Sequence, residues 1–127
     1  MRMPPALLTT RHLLCVAAFD VPPVLGIYVD LTAQEDRLWN PRAAGEVVVV
    51  LHDRSLAERL LRYTGGFAIT QNAPDRPTAY GWHSLLSDSL PASAQVRRVL
   101  LKLTRHQLLS PPQADLAFAQ VDRLDLH

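Results

Sequence analysis

This sequence contains one cysteine, one lysine, five glycines and few aromatic residues, and it has no long hydrophobic run. The single cysteine, Cys15, excludes a disulfide framework or a cysteine-based zinc site within one chain, and its apolar neighbours predict a buried thiol. The apolar run at residues 13–19 is too short to span a bilayer and has no persuasive cleavage site. We therefore expect an intracellular protein without a membrane partner, in the cytoplasm or in an organelle.

An excess of charge of one sign is also missing, since 13 basic and 12 acidic residues give a net charge of +1. Such a balance provides no global field to attract a polyanion. All basic residues except Lys102 are arginines, which suits bidentate phosphate contacts but more often reflects a GC-rich genome. The 127 residues, 48% of them apolar, predict one domain over residues 1–127 with an irregular start at residues 1–8. A domain of this size buries about two-thirds of its unfolded surface.

Motifs of common enzyme classes are absent as well. The five histidines show no metal-binding spacing, "TGG" lacks the lysine and spacing of a phosphate-binding loop, and no serine lies in a nucleophile elbow. The pair His52–Asp53 is the only one that resembles a catalytic fragment. These motifs alone therefore do not predict an enzyme.

The clearest pattern lies near the C-terminus, in residues 105–124. Ser110 suits the N-cap of a helix, Pro111 suits its first turn, and Gln113 completes a capping box. A stripe of apolar residues follows at helical spacing: Ala114, Ala117, Phe118, Val121 and Leu124. A helix over residues 93–109, capped by Ser93, is therefore predicted to be followed at once by another helix after a sharp corner.

The rest of the chain predicts strands and short helices. Alternation at residues 24–31 indicates a half-buried strand, and residues 46–52, 66–71 and 78–83 are expected to form three more. Ser55 and Glu58 form a capping box for a helix that Gly65 ends. Residues 10–20 are assigned to a first helix, although their short apolar run is equally compatible with a buried strand. The predicted order is α-β-β-α-β-β-α-α.

That order resembles one LAGLIDADG unit, the fold of homing endonucleases and intron maturases. The segment "QLLSPPQADLAFAQV" is similar to the family's terminal segment, "VVVVLHDRSLAERLLRYTGGFAIT" to its second strand, short helix and third strand, and "CVAAFDVPP" to the end of its signature helix. The resemblance implies an α+β fold in which a curved antiparallel four-stranded sheet lies along a nucleic-acid groove.

The signature position departs from the family's pattern. Asp20 takes the place of the first aspartate, and Pro22 falls where the metal-binding carboxylate belongs. Because proline has no side-chain oxygen for a divalent cation, the resemblance implies a lost nuclease activity and no cofactor. An alignment shifted by two residues would instead make Asp20 the catalytic metal ligand and restore a magnesium-dependent endonuclease.

The resemblance also implies candidate nucleic-acid contacts. Tyr28 and Asp30 on the first predicted strand, with Thr32 just beyond it, are placed to meet bases. Basic residues at loop tips and on one face of the long helix are placed to meet phosphates: Arg37, Arg42, Arg54, Arg76, Arg97, Arg98, Lys102 and Arg105. Both sets are also compatible with ordinary solvent-facing residues.

One such unit is half of the family's binding surface. The resemblance therefore implies a homodimer, or pairing with a second LAGLIDADG-like chain, through a helix face that contains Leu14, Ala17 and Ala18. We expect a nuclease-dead protein that binds RNA rather than DNA, as a splicing cofactor or as part of a ribonucleoprotein such as a ribosome. The alternatives are an active homodimeric DNA endonuclease, and a protein-interaction module that uses the outward valines Val48 and Val50.

Overall fold

The computed structural model describes residues 13–31, 43–73 and 76–126. Thr32, Arg37 and Arg42 lie outside these described residues. Within the described ranges the chain is α+β, with five strands, three α-helices and one 3₁₀-helix. In chain order they are β1 (Leu13–Ala18), β2 (Val24–Leu31), β3 (Ala43–Leu51), α1 (Arg54–Tyr63), β4 (Ala68–Ala73), β5 (Arg76–Ser87), α2 (Ala92–Arg105), α3 (Pro111–Val121) and the 3₁₀-helix (Asp122–Leu126).

The strands form one antiparallel sheet in the order β1-β2-β3-β5-β4. At its centre, Val49 of β3 lies opposite Ile27 on one side and Trp82 on the other. Because side chains alternate between the two faces of a strand, this register places these three residues on the same face. All three are buried, which makes this face the floor of the main core.

The three α-helices pack on that first face of the sheet. Each helix contributes an apolar stripe to the main core, at the spacing that brings one helical face together. The stripe residues are Ala57 and Leu60 of α1, Val96, Val99, Leu100 and Leu103 of α2, and Ala114, Ala117 and Val121 of α3. None of the helices in the described ranges has the length and apolar composition needed to cross a membrane.

The second face of the sheet has a smaller apolar cluster of its own. It consists of Tyr28, Val48, Val50 and Ala79, with Leu25 packed against it. Val48 and Val50 are each only 1% exposed. The two valines therefore lie on the predicted face, away from the helices, but they are buried and not exposed at the surface.

The largest correction concerns the N-terminal part of the chain, because residues 13–18 form strand β1 and not the predicted helix. Leu14 pairs with Val29 and Ala17 with Ile27, so β2 satisfies the backbone groups of this short apolar run. The sheet consequently has five strands and not four. The LAGLIDADG resemblance loses its signature helix, and membership of that family stays a prediction.

The predicted dimer face is lost with that helix. A bulge between Cys15 and Ala17 lets Val16 and Ala17 both pack against the main core, together with Leu14. Ala18 and Cys15 are exposed, so the prediction of a buried thiol is wrong too. In the strand, Leu14 and Ala17 therefore pack toward the core while Ala18 lies at the surface, so the three residues share no single face.

The caps of the first two helices also differ from prediction. Asp53, and not Ser55, caps α1, because its carboxylate accepts hydrogen bonds from the backbone N–H and the hydroxyl of Ser55, both at 2.9 Å. The N-cap position of α2 is Pro91, and the hydroxyl of Ser93 instead donates to Asp125. Gly65 lies just beyond the end of α1 with a φ of 104°, which confirms its predicted role as a stop.

The predicted corner before the last helix is confirmed. The backbone N–H of Gln113 donates to Ser110 Oγ, and that of Ser110 donates to Gln113 Oε1. Pro111 occupies the first helical position, where no backbone donor is needed. The corner lets α3 turn back against α2 and β1.

The stability of the fold should depend on the buried side of α2. Leu103 is fully buried and Leu101 is 53% exposed, two positions apart on the same helix. We expect Leu103→Ala to lower the free energy of unfolding by about 2–5 kcal/mol, because it leaves a cavity. Leu101→Ala, the matched control, should stay within about 0.5 kcal/mol. Urea unfolding followed by circular dichroism measures both, and equal losses would contradict the burial of Leu103.

The α1 cap should make stability depend on pH. Hydrogen bonds from the Ser55 backbone and hydroxyl hold the pKa of Asp53 below its ordinary value of 3.8. A lowered pKa adds stability above the ordinary value, and this stability is lost as the pH falls through the folded-state pKa. Asp53→Asn keeps an acceptor oxygen but does not titrate. We expect this variant to have a lower urea midpoint than wild type at neutral pH, and the difference to vanish in acid.

Candidate functional site

Charge is strongly segregated along this near-neutral chain. Residues 59–74 contain two arginines and no acid, and residues 89–114 contain three arginines, one lysine and no acid, so together they carry +6. The remainder has 7 basic and 12 acidic residues and carries −5, which accounts for the net +1. A low net charge therefore coexists with two strongly basic segments.

One hydrogen bond brings the two segments together. Lys102 of α2 donates from Nζ to the backbone carbonyl of Thr64, the C-cap of α1, at 3.1 Å. A cation at this place also interacts favourably with the negative end of the α1 dipole. The C-terminal end of α1 and the middle of α2 therefore lie next to each other.

We call this region the basic platform and define it by seven residues. Arg59, Arg62 and Tyr63 belong to α1, Phe67 follows the turn after it, and Arg98, Lys102 and Arg105 belong to α2. Arg98 precedes Lys102 by four residues and Arg105 follows it by three, so the three cations share one helical face. Of the predicted phosphate contacts, the structure brings these three together.

Arg97 lies on a different side of α2. Its guanidinium forms an ion pair with Asp122 at 2.6 Å and stands 5.9 Å from the centre of the Phe118 ring. These contacts fasten α2 to the end of α3. Arg97 therefore has a structural role that its position in the sequence does not reveal, and it is not part of the basic platform.

The α1 half of the basic platform carries the aromatic residues that the sequence analysis missed. Tyr63 is 64% exposed, and the guanidinium of Arg62 lies 5.7 Å from the centre of its ring. Phe67 is 51% exposed. Exposed aromatic side chains close together in sequence are candidates for a contact with a ligand or a partner. Arginines and aromatic rings occurring together on residues 59–67 were the available sequence signal.

A hydrogen bond and close packing from a core residue fix the turn between α1 and β4. Trp82 is buried, and its Nε1–H donates to the carbonyl of Gly65 at 2.9 Å. Gly66 has a φ of 99°, and a Cβ there would lie 2.5 Å from Trp82 Nε1. The backbone of Phe67 is fixed by its hydrogen bond to the carbonyl of His83. The turn therefore holds Tyr63 and Phe67 on a rigid support.

Other predicted contacts are scattered or buried. Tyr28 is only 8% exposed, and its ring packs so closely on Gly26 that a Cβ there would lie 2.6 Å from Tyr28 Cε2. Arg54 pairs with Glu58 at 2.9 Å, far along α1 from the Thr64 end. Arg76 opens β5, and Asp30 lies near the end of β2. Tyr28 is therefore buried in the second face of the sheet, and the contacts predicted for Asp30 and Arg76 stay predictions.

Within the part of the chain that the structure describes, neither predicted catalytic group belongs to a cluster that could hold a metal ion. Asp20 is exposed in the turn after β1, and Asp53 is used as the α1 cap next to an exposed His52. Among the described histidine, cysteine, aspartate and glutamate side chains, no three lie close enough to hold a metal ion.

A different polar cluster lies across three strands on the second face of the sheet. His83 of β5 contacts Glu46 of β3 through Nδ1 at 2.6 Å and Thr70 of β4 through Nε2 at 2.8 Å. We call these three residues the strand triad. They are 37 and 13 positions apart in sequence. No spacing rule predicts such a cluster, because it depends on the register of three strands.

Comparison with known proteins identifies no relative. No protein-family model, curated protein or solved structure matches the chain.

The support beneath the basic platform predicts unequal effects at its two glycines. Both Gly65 and Gly66 have a positive φ, but a Cβ at Gly65 meets nothing within 4 Å whereas one at Gly66 overlaps the Trp82 indole. We expect Gly66→Ala to destabilise the protein by roughly 1–3 kcal/mol more than Gly65→Ala, since it adds overpacking to backbone strain. Thermal unfolding of the two variants measures this difference. Equal destabilisation would show that Trp82 does not limit the turn.

Proposed function

We propose that this protein binds single-stranded nucleic acid, RNA in preference to DNA, on the basic platform. The observation that carries the proposal is the hydrogen bond from Lys102 to the carbonyl of Thr64. It brings two acid-free segments that are separate in sequence next to each other, and both segments carry exposed cations. Phosphates and unpaired bases are the ligand groups that such a surface suits.

The cations account for attraction to the backbone. Arg59, Arg62, Arg98 and Arg105 are all exposed at the surface. Guanidinium groups form bidentate hydrogen bonds with phosphate oxygens, and each neutralised phosphate releases condensed counterions. The five cations of the platform carry +5 and the rest of the chain carries −4, so the positive field is local. We therefore expect binding to be confined to one face and to weaken steeply with salt.

The aromatic rings account for the preference for unpaired bases. Tyr63 and Phe67 are more than half exposed on either side of the rigid Gly65–Gly66 turn. A base can stack on an exposed ring only when it is not already stacked within a duplex. RNA presents unpaired bases in loops and bulges, and protein recognition of RNA concentrates there. Single-stranded RNA is thus the ligand that uses both halves of the basic platform.

The other two predicted functions lose the features on which they depended. An endonuclease of the LAGLIDADG kind requires a helix that ends at its catalytic carboxylate, and β1 occupies that part of the chain. A protein-interaction module that uses Val48 and Val50 requires them at the surface, and both are buried. The proposal needs neither the family resemblance nor a cofactor.

The proposal is tested by the salt dependence of binding. The probe is a fluorescein-labelled single-stranded RNA, titrated with protein at several salt concentrations and followed by fluorescence anisotropy. We expect Arg98→Ala/Arg105→Ala to weaken binding and to reduce the slope of log K against log salt by about 0.7 for each cation removed. Separately, Tyr63→Leu should cost about 1–3 kcal/mol of binding free energy without changing that slope.

The matched control removes the same charge elsewhere. Arg54→Ala/Arg123→Ala changes two exposed arginines outside the acid-free segments and should leave affinity and slope nearly unchanged. DNA of the same sequence and a duplex RNA complete the comparison, and we expect both to bind more weakly. No detectable binding at low salt, or equal losses in the two double variants, would rule out the basic platform as a nucleic-acid interface.

A further inference from the structure

The strand triad has the connectivity of an activated nucleophile. Glu46 Oε1 lies 2.6 Å from His83 Nδ1, and His83 Nε2 lies 2.8 Å from Thr70 Oγ1. The carboxylate thus lies within hydrogen-bond distance of the imidazole, and the imidazole lies within hydrogen-bond distance of the hydroxyl. This order of groups, recognised by geometry and not by sequence position, is what makes a hydroxyl nucleophilic in acyl-transfer enzymes.

The chemistry of the groups restricts the hydrogen bonds. A carboxylate oxygen only accepts a hydrogen bond, so the Nδ1–H of His83 donates to Glu46. In the tautomer protonated at Nδ1 alone, Nε2 accepts the hydrogen bond from the Thr70 hydroxyl. The lone pairs of Thr70 Oγ1 remain available for a reacting carbon.

Burial separates the roles of the three residues. The His83 side chain is 8% exposed and that of Glu46 is 20% exposed, so water competes little for their hydrogen bond. Thr70 is half-buried on β4, which is an edge strand of the described sheet. The base and its orienting acid are therefore shielded, while the residue that carries the hydroxyl is partly exposed.

Two neighbouring residues shape the space around the hydroxyl. Gly81 lies opposite Thr70, and a Cβ on it would stand 2.9 Å from Thr70 Oγ1 and 3.2 Å from His83 Nε2. Only glycine therefore leaves the Thr70–His83 contact unobstructed. The Phe67 ring stands edge-on to His83 with centroids 6.0 Å apart and is half exposed, which supplies an apolar contact for an aryl or small acyl group.

We propose that Thr70 is a nucleophile for acyl groups from small activated esters, with His83 as its base and Glu46 as the positioning residue for His83. Thr70 Oγ1 bonds to the ester carbonyl carbon, and its proton passes to His83 Nε2. The bond from that carbon to the leaving oxygen breaks, and the leaving oxygen takes the proton from Nε2. Water, deprotonated by His83, then releases the carboxylic acid and restores the Thr70 hydroxyl. This activity does not rest on nucleic-acid binding.

The experiment uses the full chain and p-nitrophenyl acetate as the probe. We expect a burst of nitrophenolate equal to one per chain, and mass spectrometry of the digested protein should place the acetyl group on Thr70. Thr70→Val is isosteric and suits a strand, so it should fold and lose both the burst and the label. Thr70→Ser, which keeps a hydroxyl, should retain both.

A further variant separates positioning from packing. Glu46→Gln should slow acetylation about 10²- to 10⁴-fold, because the imidazole loses its fixed tautomer, while circular dichroism and the unfolding midpoint report whether the sheet is intact. An acetyl group found only on Lys102, or a burst unchanged in Thr70→Val, would overturn the proposal. So would Glu46→Gln acetylating at the wild-type rate with its sheet intact.

Discussion

All three α-helices of the described chain have a single face of the sheet to pack on, and the rest of the structure follows from that constraint. Alternation along β3 places Val47 and Val49 beneath the helices and leaves Glu46, Val48 and Val50 on the other side. The helical side becomes the main apolar core, and the other side holds a smaller apolar cluster beside polar groups. The basic platform and the strand triad exist because the two faces have such different surroundings.

Trp82 connects these two environments. Its ring is part of the main core, while its Nε1–H holds the turn that carries Tyr63 and Phe67. The next residue along β5, His83, points to the opposite face and joins the strand triad. Two adjacent residues of one strand thus support the proposed nucleic-acid surface and the proposed nucleophile. This arrangement explains why both candidate sites lie toward the β4 edge of the sheet.

Much of the local structure could be predicted from the sequence, because it depends on near neighbours. Strand β2 and the Ser110 corner rest on alternation and on a capping box within four residues, and both are confirmed. The run at residues 13–18 could not be assigned, since a short apolar segment suits a helix or a strand equally well. Its conformation was set by pairing with β2. Asp53 and Ser55 are both acceptable N-caps and lie only two residues apart, so the sequence alone did not decide which of them caps α1.

The candidate sites were predictable only where they follow one helix. Arg98, Lys102 and Arg105 could be grouped from their spacing alone, but the ion pair of Arg97 with Asp122 spans 25 positions and could not. The strand triad depends on the pairing of β3, β4 and β5, which the sequence does not state. The sequence therefore did not reveal which residues of neighbouring strands lie opposite each other. Both the sheet and the strand triad depend on that register.

The hydrogen bonds between Ser93 and Asp125 have a consequence for biosynthesis. Pro91 offers no side-chain cap to α2, and the carboxylate that receives the Ser93 backbone N–H and hydroxyl comes 32 residues later. During translation this carboxylate is made 32 residues after Ser93, so the first turn of α2 gains it only once the 3₁₀-helix has been synthesised.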